Sequence, residues 1–351
     1  MVDAILKVGV LGASGYTGAD AVRLAMTHPN MELAALTANT HAGKPMSAVY
    51  PHLGYSGLPD LTTVEDTDWS QVDVVFCGLP HGTTQDITRD VLKAHPHVKF
   101  IDMSADFRLR DPAVYEEWYG RPHTAMDMQG EAVYGLTEHN REAVSAARLV
   151  ACPGCYPTAV LLGLLPVARA GLISMSDIVI DAKSGVSGAG RSLKENTLFC
   201  EAGEGLSPYG VTKHRHMPEI EQELTAASGT ETIVSFTPHL APMSRGELVT
   251  MYVKLEGGNK AADLKAAFKK AYDDEPFVHV LDGAVAPSTQ MIRGSNHCLI
   301  NVFDDRASGR AIIISTLDNL VKGSAGQAIQ NMNVMFGLDE TTGLQQLALF
   351  P

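Results

Sequence analysis

Positive charge is scarce in this 351-residue chain. It carries 27 Lys and Arg against 40 Asp and Glu, which gives a formal net charge of −13 with histidine neutral. Binding to nucleic acid or to an anionic membrane surface requires a basic face. We therefore expect neither as a partner, and an anionic substrate would have to be held by locally placed Lys and Arg.

Cysteine is also scarce, and no long apolar segment opens the chain. The five cysteines are Cys77, Cys152, Cys155, Cys200 and Cys298. Their odd number and scattered positions suit reduced thiols better than a disulfide framework. Residues 1–3 lead into an apolar, strand-like segment without a basic region or a cleavage-type sequence, so we predict neither a signal peptide nor a membrane helix. We expect a cytoplasmic protein.

What the chain does have is a regular alternation of strand and helix patterns over its first third. Apolar, β-prone runs at 5–11, 31–37, 72–79 and 98–102 are separated by helix-like segments. This βαβαβ order predicts an α/β fold, a Rossmann-type doubly wound parallel sheet with its ligand crevice at the carboxyl ends of the strands. Strands predicted at 178–183, 233–238, 249–255 and 298–303, with a helix at 261–272, indicate a second, α+β domain.

A glycine loop follows the first predicted strand and opens the first predicted helix. Its residues are Gly12, Ala13, Ser14, Gly15, Tyr16, Thr17 and Gly18. Small residues here let backbone N–H groups approach a pyrophosphate at a helix N-terminus, so the loop predicts dinucleotide binding, against the alternative of a plain tight turn. The second strand ends at Thr37 with no Asp or Glu for a ribose 2′-hydroxyl, which favours NADP over NAD.

Other predicted strand ends carry further candidates. Leu79, Pro80, His81 and Ser104 follow the third and fourth strands and are predicted to lie on the cofactor side. A second small-residue loop contains Ser187 and Gly188 between Lys183 and Arg191. Its glycines and flanking cations suit an anion cradle, with a flexible connector as the alternative. Arg108 could serve an anion too, or form a surface ion pair.

Cys155 stands where a loop enters a helix. It follows Pro153 and Gly154, and Pro157 precedes an apolar run, which places Cys155 near the first helical turn. Unpaired N–H groups and the helix dipole favour the thiolate there, and the thiolate is the nucleophile. The alternative is a buried structural cysteine.

A short segment before Pro218 offers two imidazoles. If it is extended, as a residue preceding proline tends to be, His214 and His216 share one face and Lys213 and Arg215 the other. A nicotinamide site, a helix-entry cysteine and a histidine pair together suit attack of a thiolate on a carbonyl or acyl phosphate, with a histidine moving the proton. A Cys152–Cys155 redox pair and a Cys2His2 zinc site remain alternatives.

Long motifs across the chain resemble the N-acetyl-gamma-glutamyl-phosphate reductase family. In order, they are Gly12-Ala-Ser-Gly-Tyr-Thr-Gly18, Leu79-Pro-His-Gly82, Asp102-Met-Ser-Ala-Asp-Phe-Arg108, Tyr134-Gly-Leu-Thr-Glu138, Pro153-Gly-Cys-Tyr-Pro-Thr158, Ser184-Gly-Val-Ser-Gly-Ala-Gly-Arg191, His214-Arg-His-Met-Pro-Glu219, Phe236-Thr-Pro-His-Leu240 and Lys322-Gly-Ser-Ala-Gly-Gln327. The resemblance implies NADPH-dependent reduction of N-acetyl-L-glutamyl 5-phosphate to the 5-semialdehyde with release of phosphate, in arginine biosynthesis. Aspartate semialdehyde dehydrogenase and a cofactor-sensing regulator are the competing interpretations.

The resemblance also assigns residues. It implies Cys155 as nucleophile, His216 with His214 beside it as general acid/base, and Asn319 and Lys322 near the cofactor. It implies an NADP-binding domain of residues 1–154 plus 318–351 and a catalytic, substrate and dimerisation domain of residues 155–317. We expect a homo-oligomer, a dimer or tetramer, without a bound metal. The candidates for the substrate's phosphate and carboxylate, beside Arg108, are Lys183, Arg191, Lys213, Arg215 and Arg245. Cys152 is unusual at its position and could form a regulatory disulfide with Cys155.

Overall fold

A computed structural model describes residues 5–54 and 56–351 of the chain. These residues form two compact units. Unit 1 comprises the described residues up to Pro153 together with Ser324–Gln345, and unit 2 comprises Gly154–Gly323 with Gln346–Pro351. The chain thus leaves unit 1 directly before Cys155 and returns to it after Gly323.

Unit 1 is built on a seven-stranded sheet. Its strands are β1 (Leu6–Leu11), β2 (Met31–Thr37), β3 (Leu61–Thr62), β4 (Val74–Cys77), β5 (Lys99–Asp102), β6 (Ala132–Tyr134) and β7 (Leu149–Ala151). The order is β3-β2-β1-β4-β5-β7-β6, and every pair is parallel. The predicted α/β fold with a doubly wound parallel sheet is confirmed. β1 lies in the interior of the sheet and is fully buried from Val8 to Leu11, which its apolar residues on both faces allow.

Helices connect the strands of unit 1. They are α1 (Tyr16–Ala25), α2 (Gln85–Ala94), α3 (Pro112–Tyr119), α4 (Met126–Gln129) and α5 (Thr137–Ala146), and the last helix of the chain, α10 (Gly326–Met335), belongs to the same unit. Two buried amide side chains of α10 have partners within the unit: Asn331 donates to the Gly135 carbonyl, and Asn333 bonds the His28 ring. Buried polar groups require such partners.

Unit 2 is built on a mixed sheet. Its strands are β8 (Ile173–Gly185), β9 (Ser207–Pro208), β10 (Ser235–Ala241), β11 (Glu247–Leu255), β12 (Val278–Val280), β13 (Cys298–Asp304) and β14 (Arg310–Leu317), in the order β12-β13-β14-β11-β8-β10-β9. β8–β10 and β12–β13 are parallel and the other pairs antiparallel. The α+β character predicted for the second domain is confirmed.

The helices of unit 2 are α6 (Cys155–Arg169), α7 (Phe199–Ala202), α8 (Met217–Ser228) and α9 (Ala261–Tyr272). From Tyr156 to Ala168 every residue of α6 is buried, because its sequence is apolar on all sides. The predicted helix at 261–272 matches α9. Within the described parts of the chain no helix is long and apolar enough to cross a bilayer.

Two sequence-based expectations about local structure are wrong. The segment before α8 is not extended but made of turns, with Thr212 at a positive φ of 61°, and Met217 and Pro218 already belong to the first helical turn, where proline is tolerated. The sequence of residues 317–333 also predicts a single helix with polar residues on one side, but a π-helical turn at Val321–Ala325 precedes α10. Such turns are frequent at functional sites.

Candidate active site

The glycine loop of unit 1 is a tight strand-to-helix turn. Gly12 has a φ of 74°, which favours glycine, and the Gly15 N–H donates to the Gly12 carbonyl over 3.0 Å. A Cβ on Gly18 would lie 2.3 Å from the Gly12 oxygen, so only glycine fits there. No side chain caps the N-terminus of α1, and its first N–H groups remain available to an anion.

The other predicted cofactor residues of unit 1 lie at the carboxyl ends of neighbouring strands. Thr37 ends β2 and is buried, and its hydroxyl accepts from the Gly12 N–H over 3.3 Å. His81 follows β4 and is exposed, with its Nδ1 accepting from the Ala105 N–H over 2.9 Å. Because β1, β2, β4 and β5 are parallel, the structure brings this set to one edge of the sheet: Gly12, Ser14, Gly15, Tyr16, Thr17, Gly18, Thr37, Leu79, Pro80, His81 and Ser104.

An acidic cluster that sequence reasoning did not identify holds this edge together. The Asp106 carboxylate accepts from the backbone N–H groups of Gly82 and Thr84 over 2.6 and 2.9 Å, and from the Tyr115 hydroxyl over 2.9 Å. Asp102, fully buried, accepts from the Ser104 N–H over 2.9 Å. Burial, and secondarily the charge of Asp106, raises the pKa of Asp102 to about 7.

Arg108, a predicted substrate-binding cation, is bound to backbone carbonyls. Its side chain is buried within unit 1, and its guanidinium donates to the backbone carbonyls of Cys152 over 2.7 Å and Met103 over 3.0 Å. These bonds fix the chain at the end of β7. The surface ion pair considered as its alternative role does not fit the burial either.

In unit 2, three predicted cofactor residues come together. The Asn319 side chain donates to the Ser187 hydroxyl over 3.0 Å and accepts from the Gly246 N–H over 2.9 Å. A Cβ on Gly188 would lie 3.6 Å from the Asn319 amide nitrogen. Lys322 is fully buried within the π-helical turn, with its ammonium 5.9 Å from the centre of the Phe277 ring.

Cys155 occupies the first position of α6, as predicted. Gly154 is the N-cap residue, and no side chain caps the helix. The thiol is half-buried. Gly323 approaches so closely that a Cβ on it would lie 2.8 Å from the Cys155 Cβ. The helix N-terminus favours the thiolate at this place.

The two predicted histidines lie beside the residue that follows Cys155. Their ring centres are 4.7 Å apart, and each lies within 6 Å of the Tyr156 ring, at 5.8 Å for His214 and 5.9 Å for His216. The backbone N–H of His216 donates to His214 Nδ1 over 3.2 Å, so the neutral His214 ring carries its proton on Nε2. Burial, and to a lesser extent the charge of Arg215, lowers the pKa of His214 to about 4.

The five cations predicted to hold substrate anions in unit 2 differ in their surroundings. Lys183 pairs with Asp181 over 2.8 Å, and an Arg245 nitrogen lies 3.6 Å from the buried Asp318 carboxylate. The other three are exposed: Arg191, Lys213 and Arg215.

Glu247 is the residue of this region that sequence reasoning missed. It begins β11 and its carboxyl group is fully buried, although nothing in its sequence context marks it as more than a polar residue at a strand start. The Cys155 thiol is near enough to interact with this carboxyl. Burial raises the pKa of Glu247 to about 8, an effect that the Cys155 interaction opposes and the Asp318 charge reinforces.

Cys152 belongs to unit 1, where it is fully buried and its sulfur accepts from the Asn331 amide over 3.5 Å. Among the described residues, which include all five cysteines, no disulfide is formed. The regulatory disulfide with Cys155 stays a prediction.

The comparison with known proteins covers almost the whole chain. A profile described as the semialdehyde dehydrogenase NAD-binding domain matches residues 7–147, and one described as the semialdehyde dehydrogenase dimerisation domain matches residues 155–319. An N-acetyl-gamma-glutamyl-phosphate reductase of Rhodospirillum rubrum is 56% identical over 99% of both chains. The chain belongs to the N-acetyl-gamma-glutamyl-phosphate reductase family. A probable chloroplastic member from Arabidopsis thaliana is 55% identical over 99% of this chain and 86% of its own length.

Solved structures place the family's fold among the semialdehyde dehydrogenases. Aspartate semialdehyde dehydrogenase II from Vibrio cholerae has a TM-score of 0.73 at 18% identity, covering 95% of this chain and 99% of its own. The Candida albicans enzyme with NADP has a TM-score of 0.68, also at 18% identity, over 95% and 99% of the two chains. At such identity the likeness concerns the fold alone.

The nucleotide implied by the family fits residues of unit 1. Gly12 and Gly18 leave room that side chains would fill, and the uncapped start of α1 offers N–H donors. The cofactor of this family member is NADP, in agreement with the absence of an acidic residue after Thr37.

Proposed function

We propose that the chain catalyses the NADPH-dependent reduction of N-acetyl-L-glutamyl 5-phosphate to N-acetyl-L-glutamate 5-semialdehyde and inorganic phosphate, a step of arginine biosynthesis. Identities of 55% and 56% to reductases of this name, over 99% of this chain, support the activity. The observation that carries the chemistry is Cys155, at the uncapped start of α6, next to a tyrosine whose ring contacts two histidines.

Cys155 is the proposed nucleophile. Its thiolate attacks the acyl carbon of the substrate, the carbon–sulfur bond forms, and phosphate leaves with the electron pair of the acyl–oxygen bond. NADPH, when bound, supplies the hydride that reduces the resulting thioester. The thiohemiacetal then releases the aldehyde and regenerates the Cys155 sulfur.

His216, with His214 beside it, is proposed to move the proton of the substrate oxygen during reduction and release. His214 is neutral above pH 5 because of its low pKa, so it can donate a hydrogen bond from Nε2 to the substrate oxygen, and the transferred proton is left to His216. The Tyr156 ring packs against both imidazoles, and the rings of Tyr209 and Phe236 pack against His214.

The dinucleotide is proposed to bind to the glycine loop and strand ends of unit 1. Within unit 2, Ser187, Gly188, Asn319 and Lys322 stay predicted cofactor residues. The division between a nucleotide domain and a catalytic domain is proposed to follow the two compact units. This moves the predicted boundaries from 154 to 153 and from 318 to 324, and it transfers residues 346–351 from the nucleotide domain to the catalytic domain.

Substrate anions are proposed to bind Arg191, Lys213 and Arg215, since these cations are exposed, with Lys183 and Arg245 as secondary candidates. An acidic protein needs such local positive charge.

We also propose a cytoplasmic location, which cell fractionation would test.

Self-association is proposed for unit 2, whose family profile is described as a dimerisation domain. The segment between Gly190 and Thr212 exposes several apolar side chains: Leu193 at 96%, Leu198 at 50%, Phe199 at 88%, Leu206 at 56% and Val211 at 51%. Exposed apolar patches mark association surfaces. Light scattering after gel filtration should give a dimer or larger, and Phe199→Arg with Leu193→Arg should lower the mass.

The proposed reaction is tested most simply in reverse. Purified protein with N-acetylglutamate semialdehyde, phosphate and NADP should produce NADPH absorbance, whereas aspartate semialdehyde should produce little. Turnover of aspartate semialdehyde alone would assign the chain to that substrate instead. NADPH binding without turnover of either would favour a cofactor-sensing protein.

A further inference from the structure

Glu247 carries a carboxyl group in an energetically unusual place. It is 0% exposed, and among the described residues no donor makes a well-aligned hydrogen bond to either carboxyl oxygen. A buried polar group without a good partner destabilises a protein, and an ionised one destabilises it more. A residue retained under that cost calls for an explanation in terms of function.

The position of Glu247 in the sheet directs it to the nucleophile. It pairs with Ser184 of β8 and Leu317 of β14, so its backbone is fixed on both sides within the sheet of unit 2. The Thr316 hydroxyl additionally donates to its carbonyl over 2.6 Å. The side chain is thereby held where the Cys155 thiol interacts with it.

The other titratable and charged groups around this carboxyl do not neutralise it. Tyr156 and Tyr209 face it, and its charge contributes to the raised pKa values of both phenols. Asp318 lies near enough to repel a second negative charge, and Arg245 is directed to Asp318 over 3.6 Å. No cation among the described residues forms an ion pair with Glu247.

We propose that Glu247 is the proton partner of Cys155, so that thiol and carboxyl titrate as one pair. This rests on the proposed role of Cys155 as the nucleophile. Before the sulfur attacks the acyl carbon, the thiol proton passes to the Glu247 carboxylate, which leaves the sulfur as the attacking thiolate. When the thiohemiacetal releases the aldehyde, the carboxylic acid returns that proton to the sulfur. The histidines then serve the substrate oxygen, and no other reactant is needed.

The proposed pairing predicts how the reactivity of Cys155 depends on pH. Two interacting acids lose their protons in two macroscopic steps that belong to both groups. Because only the thiolate reacts with iodoacetamide, the alkylation rate of Cys155 in the wild type should rise in two steps with pH. In Glu247→Gln, which keeps the shape and removes the titration, it should rise in one.

The experiment measures Cys155 alkylation by peptide mass spectrometry between pH 5 and 10, together with kcat. We expect Glu247→Gln to give a single step and a kcat lowered about a hundredfold, the usual size of a general acid/base contribution. The matched control is Glu221→Gln, since Glu221 is half-buried in the same unit with a pKa also raised by burial, and it bonds the Val234 N–H instead. It should keep both steps.

The variant Glu247→Met distinguishes loss of the proton partner from loss of protein stability. Replacing a buried carboxyl that lacks a well-aligned partner by an apolar side chain of similar size removes a desolvation penalty. We therefore expect a melting temperature no lower than the wild type, with the single alkylation step and the low kcat. Superimposable alkylation curves for Glu247→Gln and wild type would overturn the proton-partner role, whereas turnover by Cys155→Ser would overturn the nucleophile itself.

Discussion

The backbone N–H of Gly154 donates a hydrogen bond to Glu219 Oε1 over 2.9 Å. Gly154 directly precedes Cys155, and Glu219 lies in the first turn of α8, which begins after His216. The buried Glu219 carboxylate thus connects Gly154, the residue before Cys155, to α8. We expect Glu219→Ala to lower kcat about tenfold or more through misplacement of Cys155. Glu219→Gln, which keeps an acceptor oxygen, should stay within a few-fold of wild type.

Cys155→Ser should abolish turnover and leave NADPH binding intact, because a serine hydroxyl is far less ionised than a thiol at a helix start. Fluorescence titration with NADPH measures binding separately from the reverse assay. Cys200→Ser is the control, since Cys200 is exposed on α7. Activity of Cys155→Ser within tenfold of wild type would refute the nucleophile assignment.

His216→Asn should lower kcat by about a hundredfold or more, as loss of a general acid/base does. A larger effect of His214→Asn would exchange the roles of the two residues and leave the reaction class unchanged.

The pKa of His214, about 4, has its own test. NMR should show its ring neutral, with the proton on Nε2, throughout pH 5–8. Because the folded pKa lies below the ordinary value of 6.5, the unfolded chain binds this proton more readily. The contribution of His214 to stability is therefore complete above pH 6.5 and is lost as pH falls toward 4. A shift of the ring resonances centred near pH 6.5 would contradict the burial argument.

Gly18→Ala should disrupt the dinucleotide loop, since the new Cβ would lie 2.3 Å from the Gly12 oxygen. Overpacking of this kind destabilises by about 1–3 kcal/mol, and NADPH affinity should fall as the loop moves. Gly130→Ala is the matched control in unit 1: Gly130 has no positive φ, and its Cβ would meet nothing within 4 Å. Equal thermal stability and NADPH affinity of the two variants would contradict the prediction.

Alanine at Arg191, Lys213 or Arg215 should raise KM for substrate or phosphate in at least one case without changing KM for NADPH. Lys183→Ala and Arg245→Ala are informative for comparison, because their partners Asp181 and Asp318 lose an ion pair as well. Unchanged KM values in all five variants would place the anion site elsewhere.

Local patterns predicted the elements with periodic or unbroken apolar sequences. β2 and α9 have the predicted bounds. The position of Cys155 at the start of a helix was predicted from the neighbouring Gly154 and Pro157. Residues 211–216 were predicted wrongly because the rule for residues before proline weakens when proline enters a helix at its second position.

The proposed role of Glu247 could not be predicted from the sequence, because it depends on pairing between strands that are far apart in the chain. β11 pairs antiparallel with β8 and β14, and only this arrangement buries the first residue of β11 near Cys155. The same holds for Asp106, whose partners Gly82 and Thr84 lie more than 20 residues away. Arg108 shows the converse: its charge suggested an anion site, and only the structure shows that it is buried with backbone carbonyls as hydrogen-bond partners.

Gly323 carries no chemistry, yet a Cβ on it would lie only 2.8 Å from the Cys155 Cβ. In a library of all single substitutions selected for growth without arginine, Gly323 should therefore tolerate as few replacements as the nucleophile. Its variants should differ from those of Cys155 in one respect: compensating changes elsewhere in unit 2 could recover a Gly323→Ala enzyme, because a displaced sulfur can be moved back, whereas an absent one cannot.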